Sequence, residues 1–257
     1  MELTVVLPVY NAEGFVGASL DRLQRFLDGR VGQYEVVVVD DGSSDGTRAV
    51  VERRRNRVVR LVALNGNRGK FAALQAGMAI ATGDCRVFTD ADLPYDLTVI
   101  PYIVDLVRRR GLHIVVGDRT LAESEPEVDL PWLRILATRS YNFLVRMVVT
   151  GGLFDTQCGI KGFRGDVAEA LFPLLRDPGF SGDVEALYVA LKYNLEIRRI
   201  PVRLLNNGPS TVRLGRHPAV MLGSILHLRR AWRAGMYESP KLRAIASQRY
   251  WEAQGTP

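Results

Sequence analysis

Asp90-Ala91-Asp92 sets two carboxylates two residues apart at the end of the apolar run Cys85–Thr89. Side chains alternate along an extended backbone, so both point to one side. Such a pair suits a hard divalent cation, Mg²⁺ or Mn²⁺, which takes oxygen ligands and often binds through substrate phosphates. An isolated Asp-x-Asp fits two solvated turn residues equally well, and delivery by a buried strand argues for ligation. Asp40-Asp41-Gly42-Ser43 follows four valines. Asp40 is therefore close to buried and wants donors, which a nucleobase imide or a ribose hydroxyl supplies. Arg68, Gly69 and Lys70 stand where a helix begins and can approach a diphosphate.

Other chemistries are excluded. A Walker loop needs a Gly five residues before its Gly-Lys pair and Ser or Thr after it, and Leu64 and Phe71 stand there. No G-x-G-x-x-G follows the first apolar run, which argues against a dinucleotide cofactor. His113, His217 and His227 form no Ser-His-Asp arrangement. Cys85 and Cys158 build neither a disulfide framework nor a zinc site, which points to a reducing compartment.

The elements that must position these residues follow from periodicity. Leu3–Val9, Tyr34–Val39, Val58–Leu64 and Cys85–Thr89 are short and Val-rich, and predict strands buried on both faces. Ala12–Leu27, Thr47–Arg55, Lys70–Ala81 and Leu97–Arg110 predict helices, and Ile114–Val116 a fifth strand. This alternation predicts an α/β fold, a mainly parallel central sheet with helices on both faces. Ligands of such sheets bind beyond the carboxyl ends of the strands. All five ends are polar or glycine-rich: Pro8–Asn11, Asp40–Thr47, Asn65–Lys70, Asp90–Asp92 and Gly117–Arg119. Further on, Leu130–Thr150, Asp166–Leu175, Asp183–Tyr193 and Pro218–Met236 predict helices, and Gly159–Phe163 and Glu196–Leu205 strands. Without a linker or repeat, residues 1–215 are expected to form a single domain and 216–257 a basic amphipathic C-terminal segment.

The 257 residues, 47% hydrophobic, exclude intrinsic disorder and suffice for a core without disulfide or metal staples. Met1–Thr4 lacks the start of a signal peptide, and arginines interrupt every long apolar stretch before it reaches the ~18 residues of a spanning helix. From Arg198 onward eleven basic residues face two acidic ones, a balance of +9 in a chain of net charge +6. Such a bias predicts an anionic partner. Pro218–Met236, with Leu226, Leu228 and Trp232 beside Arg229, Arg230 and Arg233, has the composition of an interfacial helix. The expectation is a cytoplasmic protein held peripherally at an anionic membrane surface, with no nucleic-acid partner.

Val6–Asn11, Val39–Ser43, Asn67–Lys70 and Thr89–Asp92 together resemble, in order and spacing, the family-2 glycosyltransferases of the Rossmann-like GT-A fold. Phe154–Phe163, Phe180–Glu185 and Asn142–Leu144 resemble the polyprenyl-phosphate branch, above all dolichyl-phosphate glucosyltransferases, then dolichyl-phosphate mannose synthases. The resemblance implies inverting transfer of a hexose from a nucleotide diphosphate sugar, UDP-glucose or GDP-mannose, to a polyprenyl phosphate. It implies that Pro8, Tyr10, Asn11, Asp40, Asp41, Gly69, Lys70, Asp90 and Ala91 bind the nucleotide sugar. Asp90 and Asp92 would hold Mg²⁺ or Mn²⁺, and Asp92, Asp155 and Asp183 would be the catalytic residues. Arg119, Arg139, Gln157, Ser210 and Arg213 would face the acceptor phosphate.

An acceptor that is already an anion needs no general base, but two anionic substrates held together need cations. The alternative is a family-2 enzyme acting on a soluble or polysaccharide hydroxyl, which would need Asp183 or Asp155 as base. A non-catalytic membrane-surface binder is the distant third reading, disfavoured by Asp90, Asp92 and Asp155, which a pure phosphate binder would not use.

Overall fold

The computed structural model describes residues 1–126, 155–178, 182–205 and 227–248. Its centre is a seven-stranded sheet built from β1 (Leu3–Val9), β2 (Tyr34–Asp40), β3 (Val59–Ala63), β4 (Cys85–Phe88), β5 (Ile114–Asp118), β7 (Lys161–Arg164) and β8 (Ile197–Pro201). The order is β3-β2-β1-β4-β7-β5-β8. All neighbours are parallel except β7, which runs antiparallel to both β4 and β5. A second, two-stranded ladder pairs β6 (Glu125–Pro126) with β9 (Arg203–Leu204). The single strand expected over Glu196–Leu205 is broken after Pro201, and the Val202 amide donates to Ser124 Oγ (3.1 Å).

Alternation in β1 splits the core in two. Leu3, Val5, Leu7 and Val9 face α1 (Val16–Leu27), α2 (Thr47–Glu52) and α4 (Val99–Arg108), among them Leu20, Leu23, Val51 and Ile103. Val6, Val37, Val39 and Phe88 face α3 (Lys70–Ile80), α5 (Gly165–Leu171) and α6 (Gly182–Lys192). Helices thus cover both faces, as the chain's alternation predicts.

Two helix starts are later than periodicity suggests, because polar side chains take the amides that would open them. Ala12 N donates to Thr47 Oγ1 (2.7 Å) and Glu13 N to Asp45 Oδ2 (3.2 Å), so α1 begins at Val16 rather than Ala12. Asp96 Oδ1 accepts from Thr98 N (2.8 Å) and Oγ1 (2.6 Å), and α4 begins at Val99. Pro173 converts the end of α5 into a short 3₁₀ turn over Phe172–Leu174.

The expected helix Leu130–Thr150 lies outside the described residues, as does 218–226 of Pro218–Met236. Residues 227–233 are helical, and α7 (Pro240–Ser247) follows, capped by Ser239 Oγ on Leu242 N (3.1 Å). In the described part of this segment the apolar side is covered by the protein itself. Leu228 and Ala231 are buried, and the Trp232 ring packs edge-on to Tyr188 and Tyr193 and stacked on Tyr237, at 5.6 to 6.4 Å. The apolar side is spent on α6, and Arg229, Arg230 and Arg233 are left on the exposed side. No helix among the described residues is long and apolar enough to cross a membrane.

His113 precedes β5 and is buried, with Nδ1 accepting from Glu196 N (3.0 Å). Burial, then the Arg164 charge, depresses its pKa to about 4, against a smaller opposing pull from Asp166. The unfolded chain therefore binds a proton that the folded one refuses. Stability is complete above pH ~6.5 and falls as pH drops from there towards 4, by about 3 kcal/mol in total. Urea unfolding of wild type and His113→Gln across that range should show the slope in wild type and its loss in the variant.

Candidate active site

The strand order reverses at β1, since β2 and β3 lie on one side and β4 on the other. The crevice beyond the carboxyl ends of β1 and β4 is the switch point where open α/β sheets bind ligands. Tyr10 and Asn11 leave β1 there, and Asp90 and Asp92 follow β4. Tyr10 is 49% exposed, although its neighbours Val9 and Ala12 are buried.

Three loops are laced together on the β1–β2–β3 side. Asn11, at φ 48°, accepts from Ser44 N (2.9 Å) with Oδ1, and its own amide donates to Ser43 Oγ (2.9 Å). Asp40 is buried at the end of β2, and Oδ1 accepts from Ser43 N (3.0 Å). Asp41 receives Arg68 N (2.7 Å) and Gly69 N (2.8 Å), one on each carboxylate oxygen, and so shapes the turn that launches α3. Gly42, at φ 72°, lets the loops touch: a Cβ there would stand 2.5 Å from Gly66 Cα. Pro178 O accepts from Phe71 N (2.9 Å), which fixes Lys70 between two anchored neighbours.

On the β4 side, Lys70 Nζ is hydrogen-bonded to Asp90 Oδ1. Burial lowers the Lys70 pKa, but the charges of Asp90, Asp183 and Asp92 outweigh it and hold the ammonium above its usual value. Asp92 goes the other way: burial first, then Asp90's charge, raises it, against the pull of Lys70. A carboxylate held up beside a second carboxylate in a cleft is a group that a cation would relieve. Asp90 Oδ2 lies against Gly159, where a Cβ would be 2.0 Å away. Ala91 is buried between the two aspartates.

Two further ion pairs lie deeper. Arg119 grips Asp155 with Nε on Oδ2 (2.7 Å), Nη2 on Oδ1 (2.7 Å) and its own amide on Oδ2 (3.0 Å). Burial would raise Asp155, but the bonds and charge of Arg119 leave it lowered. Asp183, in the first turn of α6, accepts from Lys161 Nζ (2.7 Å). That ammonium is fully buried, donates also to Cys158 O (2.7 Å), and lies 5.3 Å from the Phe88 ring centroid. Lys161 was not among the expected site residues, though a lone Lys in the apolar run Ile160–Phe163 is the kind of buried charge that needs a partner. Gln157 Nε2 and Thr156 Oγ1 are buried and have no hydrogen-bond partner among the described residues. Arg139, Ser210 and Arg213 lie outside the described residues.

The structure thus gathers Pro8, Tyr10, Asn11, Asp40, Asp41, Gly69, Lys70, Asp90, Ala91 and Asp92 along one end of the sheet, with Arg119–Asp155 and Lys161–Asp183 behind. Among the described residues no three His, Cys, Asp or Glu side chains form a complete metal cage. Two carboxylates nevertheless fit Mg²⁺ or Mn²⁺, which complete their shells with water and substrate phosphate.

Solved structures share this architecture. Glucosyl-3-phosphoglycerate synthase from Mycobacterium tuberculosis in complex with UDP superposes with a TM-score of 0.67 at 21% identity, over 88% of this chain and 79% of that one. The same enzyme with Mn²⁺, UDP-glucose and phosphoglyceric acid gives 0.65 at 20% identity, with the same coverage. At that identity the likeness shows the fold alone, a GT-A fold. By sequence, the dolichyl-phosphate beta-glucosyltransferase of Dictyostelium discoideum is 31% identical over 213 residues, 78% of this chain and 65% of that protein. Its Homo sapiens counterpart is 32% identical over 220 residues, 78% of this chain and 66% of that protein. Glycosyltransferase AglD of Haloferax volcanii is 30% identical over 238 residues, covering 90% of this chain and 37% of that protein. The chain spans about two thirds of the length of the dolichyl-phosphate relatives. The family model "Glycosyl transferase family 2" matches residues 4–172, from β1 to the end of α5, and with it the loops that carry Tyr10, Asp40, Asp41, Lys70, Asp90 and Asp92. On this match and these relatives, the chain belongs to glycosyl transferase family 2.

Proposed function

We propose that this enzyme transfers a hexose, glucose from UDP-glucose by preference, to the phosphate of a polyprenyl phosphate with inversion. The observation that carries the choice of acceptor is the state of the two carboxylates that could have served as a base. Asp155 is held by Arg119 through three hydrogen bonds and Asp183 by the buried Lys161. Arg119 holds the Asp155 carboxyl below its usual range, which makes it a poor proton acceptor, and Asp183 already has Oδ1 engaged by a buried ammonium. A hydroxyl acceptor would need one of them free, whereas a phosphate acceptor needs neither. The names of the relatives, dolichyl-phosphate beta-glucosyltransferases, support the same acceptor and sugar.

In this reading Tyr10, Asn11 and Asp40 receive the nucleoside beyond β1 and β2, and Lys70 meets the diphosphate. Asp90 and Asp92 would hold Mg²⁺ or Mn²⁺, and the bound cation would supply charge neutralisation for the departing diphosphate. Arg119, partly exposed while it grips Asp155 with Nε and Nη2, turns its remaining guanidinium N–H groups to the acceptor side as hydrogen-bond donors. The exposed Arg229, Arg230 and Arg233 suit an anionic lipid surface, each worth about 1 kcal/mol there.

A donor screen tests the whole reading. Release of nucleoside diphosphate should be fastest from UDP-glucose, require Mg²⁺ or Mn²⁺, and depend on a short-chain polyprenyl phosphate. Release driven by a free sugar or polysaccharide, and indifferent to the lipid phosphate, would overturn it.

A further inference from the structure

Both carboxylate oxygens of Asp90 have close neighbours. Oδ2 rests against the Gly159 backbone, so close that a Cβ there would overlap it. Oδ1 accepts from Lys70 Nζ. A cation that approaches Asp90 therefore meets an ammonium already bound to one of its two oxygens.

Lys70 has little freedom to withdraw. Its backbone is set by Asp41, which holds the Arg68 and Gly69 amides, and by Pro178 O, which holds Phe71 N and, at 3.3 Å, Ala72 N. Phe71 in turn fits against Gly182, where a Cβ would meet the ring at 2.2 Å. Any withdrawal must therefore come from rotation of the side chain, on which three carboxylates, Asp90, Asp92 and Asp183, act electrostatically. Asp183 is already matched by Lys161. Among the described residues, the cation that Asp90 and Asp92 share is therefore Lys70.

A divalent cation brought to Asp90 and Asp92 would lie beside this ammonium and be repelled by it at short range in a partly buried site. An anion that takes the ammonium removes the repulsion, and the donor diphosphate is such an anion. We propose that Lys70 is a resident counter-cation of Asp90 that competes with the divalent metal, and that the nucleoside diphosphate relieves the competition by drawing the Lys70 ammonium to itself. Metal and nucleotide then bind with positive coupling, and by linkage each strengthens the other by the same factor. Lys70 is the residue through which part of that coupling passes. The inference rests on the assignment of the metal to Asp90 and Asp92.

The test measures binding without turnover. Mn²⁺ is titrated into the full chain, with free Mn²⁺ followed by electron paramagnetic resonance, in the absence and presence of saturating UDP. Lys70→Met keeps the aliphatic stem and removes the charge, and Lys70→Gln is the second variant should the first fail to fold, as checked by thermal melting. Without UDP, the neutral variant should bind Mn²⁺ about tenfold or more tighter than wild type. UDP should tighten Mn²⁺ binding strongly in wild type and by a clearly smaller factor in the variant. A neutral variant that binds Mn²⁺ no tighter than wild type without UDP, or that keeps the whole UDP effect, overturns the role of Lys70. Asp92→Asn separates this from the underlying assignment. If it binds Mn²⁺ as wild type does, the metal lies elsewhere, whatever the Lys70 variants do.

Discussion

Asp92→Asn is expected to lower the turnover of nucleotide sugar by roughly a thousandfold while leaving the fold intact. The fold should tolerate it because Asp92 is only partly buried and its charge is disfavoured there, by burial and then by Asp90. Removing that charge relieves a repulsion, so the melting temperature should hold or rise slightly. Catalysis should suffer because one of the two charged ligands of the proposed cation is lost. The departing diphosphate then develops its charge with weaker compensation, at a cost of several kcal/mol, and each ~1.4 kcal/mol is tenfold in rate. Initial rates of UDP release, taken with a melt of the same sample, decide the matter. A variant within tenfold of wild type, or a wild-type enzyme active in excess EDTA, would remove the metal from the mechanism.

Lys161→Met should be the most destabilising single change at the site, costing about 3 to 5 kcal/mol. Its ammonium is fully buried and holds both Asp183 and the Cys158 carbonyl. Methionine fills much of the same space, so packing against Phe88 survives, but the Asp183 carboxylate is left buried without its counter-charge. The N-terminus of α6 offers partial relief, of the order of 1 kcal/mol, because Asp183 sits in its first turn. Against a typical stability of ~5–15 kcal/mol the remainder is a large fraction. Urea unfolding should show the loss in Lys161→Met and recovery of most of it in the double variant Lys161→Met/Asp183→Leu, where no charge is stranded. A single variant less than about 1 kcal/mol below wild type would mean that water reaches Asp183.

What the chain declares about itself is mostly local. Runs such as Val36–Val39 announce buried strands, and the polar residues after each run mark where the sheet's ligand edge lies. Asp90 and Asp92 could be placed on that edge because a strand's end is a local property. The pairings behind them are not. Asp155 meets Arg119 across 36 positions, and Lys161 meets Asp183 across 22, with neither spacing belonging to any helix or strand period. Asp41 looks like Asp40 in sequence, yet its two oxygens go to the amides of a loop 27 and 28 residues away. The segment around Trp232 has the pattern of a helix with one apolar side. Periodicity says that such a side must be covered, but not by what, and here Tyr188, Tyr193 and Tyr237 supply the cover. Direction is equally hidden, since the residues of β7 would suit a parallel strand as well as the antiparallel one they form.

That antiparallel strand also bears on how the chain is made. β5 leaves the ribosome before β7, yet its place in the sheet lies beyond β7, which must first insert against β4. Lys161 comes 73 residues after Phe88, a delay of roughly 4 to 15 s at synthesis rates of ~5–20 residues per second. Throughout that interval β1 to β3 can already be paired while β4 offers a bare edge and β5 has no neighbour. An open, apolar edge of this kind is where one nascent chain can add to another. The enzyme's most vulnerable moment thus falls during translation, and a chain arrested before β7 has left the ribosome should be far more prone to aggregate than one arrested once β7 has fully emerged.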